Sequence, residues 1–404
     1  MPSLPVICVF GVEDITLKSA PPIPNFELDD LDCRCYLTDE GLYKILAKDC
    51  PQAIVSVGPI ENFKTLSVAP FQVRRMWVHF EDLKNLQDKG QQAFMCFLGN
   101  AIQRRDETPL VTVFTPAYKT GDRMVRPFHS LLAQTYKNWE WVIVDDSDDD
   151  GETFDALSKM AEQDFRVRVY KESRHSGNIG NVKRTACDLG RGEYLAELDH
   201  DDELTPDALE SVVDAYKKHP EAGFVYTDCA ECGEGGEPIE YRPGWGMGYG
   251  KYRDEVRGGI RYKVSCSPNI NPKTIRHIVS MPNHLRTWRK STYDKVGGHS
   301  EFMHVVDDYE LMVRTFLETR MAHVPKLCYI QYRNAAGNTT FERNKEIQRL
   351  VRYVSGWYDS RIHDRFVELD VDDFAWKEGT HTFWNLHKIL NPEVEPHCTV
   401  EVES

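Results

Sequence analysis

The sequence predicts an α/β protein: a mostly parallel sheet with helices on both faces, preceded by a small α/β unit and followed by a helical extension. Three observations carry that expectation. From Leu110 onward, strand-like runs at Val111–Thr115, Trp139–Val144, Val167–Lys171 and Tyr194–Leu198 alternate with amphipathic stretches at Val125–Gln134, Thr153–Gln163 and Ile179–Leu189. Such alternation is the signature of parallel strands joined by crossover helices. Ahead of a change of character at Arg104–Pro109, two β-branched runs, Val6–Phe10 and Ala53–Val57, each end in glycine and flank a helical spacing at Asp39–Lys48. Beyond the sheet, Trp288–Val296, Asp307–Glu318 and Glu342–Tyr358 have helical periodicity, and an aromatic helix is expected around Phe383-Trp384-Asn385-Leu386-His387.

These patterns divide the chain into 1–107, a small Rossmann-like unit; 108–340, the main α/β domain; and 341–404, the helical extension. The small unit has no G-x-G-x-x-G fingerprint, so a second nucleotide site is not expected there. Val73–Val78 is a further candidate strand. Cys229–Pro282 is rich in Gly, Pro, Tyr and Arg without steady periodicity and is expected to be a long functional loop region.

Composition excludes several classes of function. The 404 residues are 41% hydrophobic, enough for more than one buried core. Lys and Arg number 49 against 64 Asp and Glu, a net charge of −15, which disfavours nucleic-acid binding through a basic face. Neither a basic, apolar leader nor a window of ~18 uninterrupted apolar residues is present, so a soluble, cytoplasmic protein is expected. The 11 cysteines are an odd number scattered through core-like segments, which fits free thiols in a reducing compartment. Cys229-Ala230-Glu231-Cys232 lacks the second pair that a zinc site needs.

In a parallel sheet, ligands sit beyond the carboxyl ends of the strands. There the sequence places Thr115-Pro116-Ala117-Tyr118, Asp145-Asp146, and Asp199-His200-Asp201-Asp202. Carboxylates gathered at strand ends suit a hard divalent cation held by oxygen ligands. The competing readings are structural: helix caps for Asp199, Asp201 and Asp202, and an acidic turn for Asp145 and Asp146.

The order and spacing of these pieces carry a family resemblance. Val111-Thr112-Val113-Phe114-Thr115-Pro116-Ala117-Tyr118, Ser130-Leu131-Leu132-Ala133-Gln134-Thr135-Tyr136, Trp141-Val142-Ile143-Val144-Asp145-Asp146-Ser147 and Gly192–Asp202 with its D-x-D element follow in sequence. Leu110 to about Thr340 thus resembles the catalytic domain of glycosyltransferase family 2, with the GT-A fold. The resemblance implies an inverting transfer from a nucleotide-sugar donor, uridine being the first-choice base, to a saccharide or other glycoconjugate acceptor, assisted by Mn2+ or Mg2+.

It also implies roles. Asp201 would be the direct metal ligand, with Asp199 on the metal, on the ribose or on a group that itself touches the metal, and His200 beside the nucleotide. Asp145 and Asp146 would receive the uracil or ribose, with Pro116 and Tyr118 walling the base. Lys183, in a helix start after Gly177 and Gly180, is the basic residue expected to face the nucleotide, although the family's Ala-Arg-Asn is here Val182-Lys183-Arg184. Gly297–Leu311 resembles the family element with a G-G pair and an acidic helix start, which makes Asp308 the base and leaves Asp307 to orient it or touch the acceptor. His284 and Arg286 would approach the sugar or diphosphate, and Arg333 would contact phosphate. Trp245 is placed either against a sugar ring or in an aromatic lid. Two other classes remain: a non-catalytic nucleotide-sugar or carbohydrate-binding protein, and a nucleotidyltransferase, although Thr115–Gly121 is not the Gly-rich basic loop of the latter.

Overall fold

A computed structural model describes residues 6–15, 32–49, 51, 53–69, 71–74, 77–86, 109–164, 166–242, 245–333, 343–382 and 399–401. The chain divides into two compact units, Met1–Leu110 and Val111–Ser404. In the first, strands β1 (Val6–Phe10), β2 (Asp32–Tyr36), β3 (Ala53–Val57) and β4 (Trp77–Phe80) form a parallel sheet of order β2-β1-β3-β4, with helix α1 (Leu42–Asp49) after β2. Successive strand residues point to opposite faces. Ile7, Val9 and Val55 therefore pack with Leu86, while Cys8, Phe10 and Ile54 pack with Leu42, Phe63 and Leu66.

The second unit opens with β5 (Val111–Ala117), α2 (Val125–Leu132), β6 (Trp139–Asp145), α3 (Glu152–Ala161), β7 (Val167–Lys171), α4 (Ile179–Leu189) and β8 (Tyr194–Glu197). These four strands are parallel and lie in the order β8-β5-β6-β7. Their apolar runs are continuous rather than alternating because helices cover both faces. Val111, Val113, Leu131, Trp141, Ile143 and Leu157 are among the residues buried in this core, at about 1.5–3 kcal/mol for each fully buried aliphatic side chain.

The chain continues through β9 (Glu203–Leu204), α5 (Ala208–Lys218), β10 (Ala222–Gly233), β11 (Pro238–Ile239), β12 (Lys251–Arg257), β13 (Ile260–Cys266), β14 (Arg286–Arg289), α6 (Lys290–Val296), α7 (Asp307–Glu318) and β15 (Arg320–Arg333). β14 joins β8 antiparallel and β10 joins β14 antiparallel, so the parallel half is extended by a mixed half. The extension follows as α8 (Asn344–Glu368), α9 (Phe374–Lys377) and β16 (Thr399–Glu401), the last pairing with β15. Arg276, fully buried, holds this extension in place through Asp359 at 2.7 Å and Asp373 at 2.7 Å.

Four expectations need correction. Cys229–Pro282 is not a loop region: β10 runs into it, and β12 and β13 form a hairpin. Its alternation was hidden because strand positions carry charges with partners elsewhere in the fold, Arg253 with Asp228 on β10 and Arg257 with Asp207 just before α5. The legible signal was Gly258-Gly259, both at positive φ (58° and 83°), as a primed hairpin turn requires. In Val73–Val78 only the end is strand, since Phe71–Arg74 is helical and β4 begins at Trp77. Trp288 belongs to strand β14, and its helix begins at Lys290; the helix expected over Glu342–Tyr358 begins at Asn344 and continues to Glu368. The helix expected around Phe383–His387 lies outside the described residues.

Candidate active site

β5 has β6 on one side and β8 on the other, so chain direction switches at its carboxyl end. A crevice opens at such a point. Thr115 Oγ1 donates to the Leu198 carbonyl at 2.6 Å and fixes where β8 leaves the sheet. Ala117 pairs with Asp145 on the other side. The exits of β6 and β8 are two strand spacings apart, about 10 Å, a span suited to a nucleotide.

The three carboxylates after β8 separate by environment. Asp202, 1% exposed, accepts from the Tyr329 hydroxyl at 2.7 Å and the Tyr332 amide at 2.7 Å, so it ties this turn to β15. Burial pushes its carboxyl well above the usual range. Asp199 donates its amide N–H to Tyr329 Oη at 3.1 Å and keeps 27% of its side chain exposed. Burial pushes Asp199 up to about 7; Lys183 opposes that rise, whereas the charges of Glu197 and Asp201 add to it. The Asp201 carbonyl accepts from Arg126, whose guanidinium lies 3.6 Å from the Tyr332 ring centre. His200 is held neutral chiefly by burial, and its Nδ1 has no hydrogen-bond partner. The cap reading fails, because α5 starts at Ala208 with Asp207 before it.

Beneath this turn lies a chain of buried charges. Glu197, fully buried, takes Lys183 at 2.6 Å on Oε1 and Arg286 at 2.6 Å on Oε2. Arg286 in turn donates to Asp308 at 2.7 Å and to His284 Nε2 at 3.1 Å. Guanidinium only donates, so His284 presents a lone pair at Nε2 and carries its proton at Nδ1. Burial, then Arg286, pushes His284 down to about 3, and its ring stacks on Tyr329 with centroids 4.4 Å apart. Lys183 also lies 3.7 Å from Asp307. Burial pushes Asp307 up to about 6, whereas for Asp308 the Arg286 and Lys183 charges overcome burial and pull the carboxyl below its ordinary value. Lys183 thus points inward, while its neighbour Arg184 pairs with Glu301 at 3.3 Å.

The loop that delivers Asp307 and Asp308 is tightly held. Val306, a β-branched residue, sits at φ 69° immediately before α7, a strained conformation of the kind that clusters at functional sites. Gly180, in the first turn of α4, approaches so closely that a Cβ there would lie 2.1 Å from the Ser300 carbonyl oxygen and 3.2 Å from Asp307 Cβ.

At the exits of β5 and β6, Pro116 is buried, and Tyr118, 45% exposed, stacks on His175 at 5.4 Å and donates to Asp148 at 3.0 Å. Asp145 accepts from the Ser147 amide at 3.0 Å through Oδ1, while its buried Oδ2 has no hydrogen-bond partner. Asp146 is spoken for: Ser176 N at 2.7 Å, Ser176 Oγ at 3.0 Å and Gly177 N at 3.1 Å donate to its two oxygens. The carboxylate expected to meet a base therefore holds the 175–177 loop.

Lys183, Asp199, His284, Arg286, Asp307 and Asp308 thus meet in one cluster. Arg333 does not join it through these contacts; it pairs with Glu231 at 3.1 Å and lies over the Tyr241 ring. Trp245 stacks on Tyr241 at 4.7 Å and packs against Tyr249, Ile278 and Met281. Sequence reasoning missed Glu197, Arg126 and Tyr329. Only Glu197 left a signal, a lone acid within the apolar run Tyr194-Leu195-Ala196-Glu197-Leu198.

Among the described residues no three His, Cys, Asp or Glu side chains enclose a metal position. The chemistry of the cluster nevertheless fits a divalent ion shared with a ligand. The carboxylates of Glu197, Asp199, Asp201, Asp307 and Asp308 outnumber the cations Lys183 and Arg286, and the charges of Glu197 and Asp201 add to the rise that burial imposes on Asp199. A cation between Asp199, Asp201 and ligand oxygens would relieve it.

Residues 112–267 match the family model described as Glycosyl transferase family 2. An uncharacterized protein of Sinorhizobium fredii, y4gI, is 29% identical over 308 residues, 70% of this chain and 31% of that protein. A chondroitin synthase of Escherichia coli is 27% identical over 241 residues, 60% of this chain and 31% of the synthase. Glycosyltransferase GlyG of Streptococcus pneumoniae is 34% identical over 105 residues, 26% of this chain and 34% of GlyG. The chain spans about a third of the length of these relatives.

Proposed function

We propose, from the match of residues 112–267 to the model of glycosyl transferase family 2, that the chain transfers a sugar from a nucleotide-sugar donor to a hydroxyl of a saccharide acceptor with inversion. The observation that carries this reading is the meeting of Asp199, Lys183, Arg286 and Asp308 at the end of β8. Departure of a nucleoside diphosphate builds negative charge on its phosphate while the sugar becomes cationic, so cation and carboxylate are needed within one small volume.

Asp308 is the general base in this reading. Its carboxyl is held ionised by Arg286 and Lys183 and is 27% exposed, so it can accept a proton from an acceptor hydroxyl. Displacement in a single step needs only this one carboxylate opposite the leaving group, which supports inversion. Asp199 and Asp201 would hold Mn2+ or Mg2+, and the ion when bound would neutralise charge on the diphosphate. Tyr118 and His175 offer stacked aromatic faces to a planar base, and uridine is the first base to test. A cytoplasmic location is consistent with the unbridged cysteines among the described residues. No helix among these residues is long and apolar enough to cross a membrane.

The test is a panel of radiolabelled nucleotide sugars with manganese or magnesium, scored for release of nucleoside diphosphate. Slow hydrolysis of one donor without acceptor is expected. Asp308→Asn should lower transfer by ~10²–10⁴-fold, the scale of general base catalysis, with donor binding largely kept. Turnover of no donor, or normal transfer by the variant, would contradict the reading.

A further inference from the structure

Glu197 has no role in the chemistry just described, and a fully buried acid at the carboxyl end of a central strand needs a reason. It is 0% exposed, its flanking residues Ala196 and Leu198 are equally buried, and its two oxygens are divided between two cations. Burying a carboxylate is expensive and, as a route to stability, rarely better than an apolar residue of the same size. Phe114 on β5 pairs in register with Glu197 and shows what an apolar neighbour looks like on this sheet.

We propose that Glu197 is a positioning residue that sets the placement and basicity of Asp308 through Arg286, an inference that rests on the transferase reading. The guanidinium is planar with its donors in a fixed fork. Nε bonded to Glu197 Oε2 at 2.6 Å therefore dictates where Nη1 points, and Nη1 meets Asp308 Oδ2 at 2.7 Å. The other face of Asp308 is set by its own helix, since the Tyr309 amide donates to Oδ1 at 2.7 Å. Held from both sides, the carboxylate has little rotational freedom.

Glu197 also controls charge. With Oε1 it keeps Lys183 at 2.6 Å, against 3.7 Å from Lys183 to Asp307. Without that anion, the two buried cations would be left with Asp199, Asp307 and Asp308 as the nearby acids. Both would draw on the base and make it a weaker proton acceptor. Glu197 takes up this excess, leaving Asp308 one hydrogen bond from Arg286 and the capacity to accept a proton. Neither Glu197 nor Arg286 has to touch substrate for this to work.

The test is a kinetic cycle on the full chain with Glu197→Gln, Asp308→Asn and the double variant, measuring kcat, donor KM and nucleotide affinity. Misplacing a reacting group costs ~10²-fold per ångström, so E197Q should lose ~10–100-fold in kcat while donor KM and nucleotide affinity stay within about threefold. The double variant should be no slower than D308N alone, because Glu197 acts through Asp308. If E197Q does not fold, Arg286→Lys serves: an ammonium keeps the charge but cannot bridge both carboxylates in a fixed fork, and it should show the same kcat loss with KM preserved. Glu197→Asp, which keeps the anion, should recover part of the rate. Unchanged kcat in E197Q, or equal slowing of D308N by E197Q, would overturn the role of Glu197. A fully active D308N would instead overturn the base assignment itself.

Discussion

Tyr329 donates its hydroxyl to Asp202 at 2.7 Å, and this bond separates the acids of one turn into a structural member and a pair suited to a ligand. The same hydroxyl accepts the Asp199 amide N–H at 3.1 Å, so one side chain from β15 sets both ends of the turn.

Removing that hydroxyl should therefore be felt in stability. Tyr329→Phe leaves the half-buried Asp199 amide and the buried Asp202 carboxyl short of a partner, which costs about 1–3 kcal/mol. Urea unfolding is the measurement, with a lower midpoint at unchanged slope expected. An unshifted midpoint would show that the turn is held by other means.

The raised carboxyl of Asp307 gives a pH dependence with a definite sign. Its value rises from 3.8 to about 6 on folding. Between those values the unfolded chain has released its proton and the folded chain retains it, so stability falls as pH rises through this window. Asp199, pushed up to about 7, adds a fall of the same sign that extends to higher pH. Asp307→Asn should flatten the part below pH ~6 and leave the part due to Asp199, a difference read from melting temperatures across pH. An unaltered profile in the variant would show that Asp307 is not the group that titrates.

Gly180→Ala tests the close approach of α4 to the loop before α7. The new Cβ would meet the Ser300 carbonyl oxygen at 2.1 Å, and backbone cannot swing aside as a side chain can. Overpacking of this kind costs about 1–3 kcal/mol. Since the displaced segment carries Asp307 and Asp308, turnover should fall more than stability alone explains. Retention of full turnover would show that the base is positioned independently of this contact.

The parallel half of the sheet was legible because its strands are buried on both faces and its helices are amphipathic, so Val111–Thr115 and Ile179–Leu189 stand out by composition and period. The hairpin of β12 and β13 was not, since Arg253, Glu255 and Arg257 occupy strand positions that only their partners make tolerable. At the site, motif spacing located Asp199, Asp308 and Arg286, but not the connection between them. That connection depends on Glu197, whose partners come from α4 and β14, remote in sequence. Asp146 shows the converse limit: its motif position is clear, while its partners at Ser176 and Gly177 are a matter of tertiary structure.

The central claim, that acids at the end of β8 gather a divalent cation and a diphosphate, is tested most directly by equilibrium binding of uridine diphosphate with manganese and with a chelator, to the unaltered chain and to Asp201→Asn. The account predicts binding that requires manganese and weakens by more than ~10-fold in the variant, a scale on which even outer partners of a metal act. Affinity indifferent to both the chelator and the substitution would contradict it.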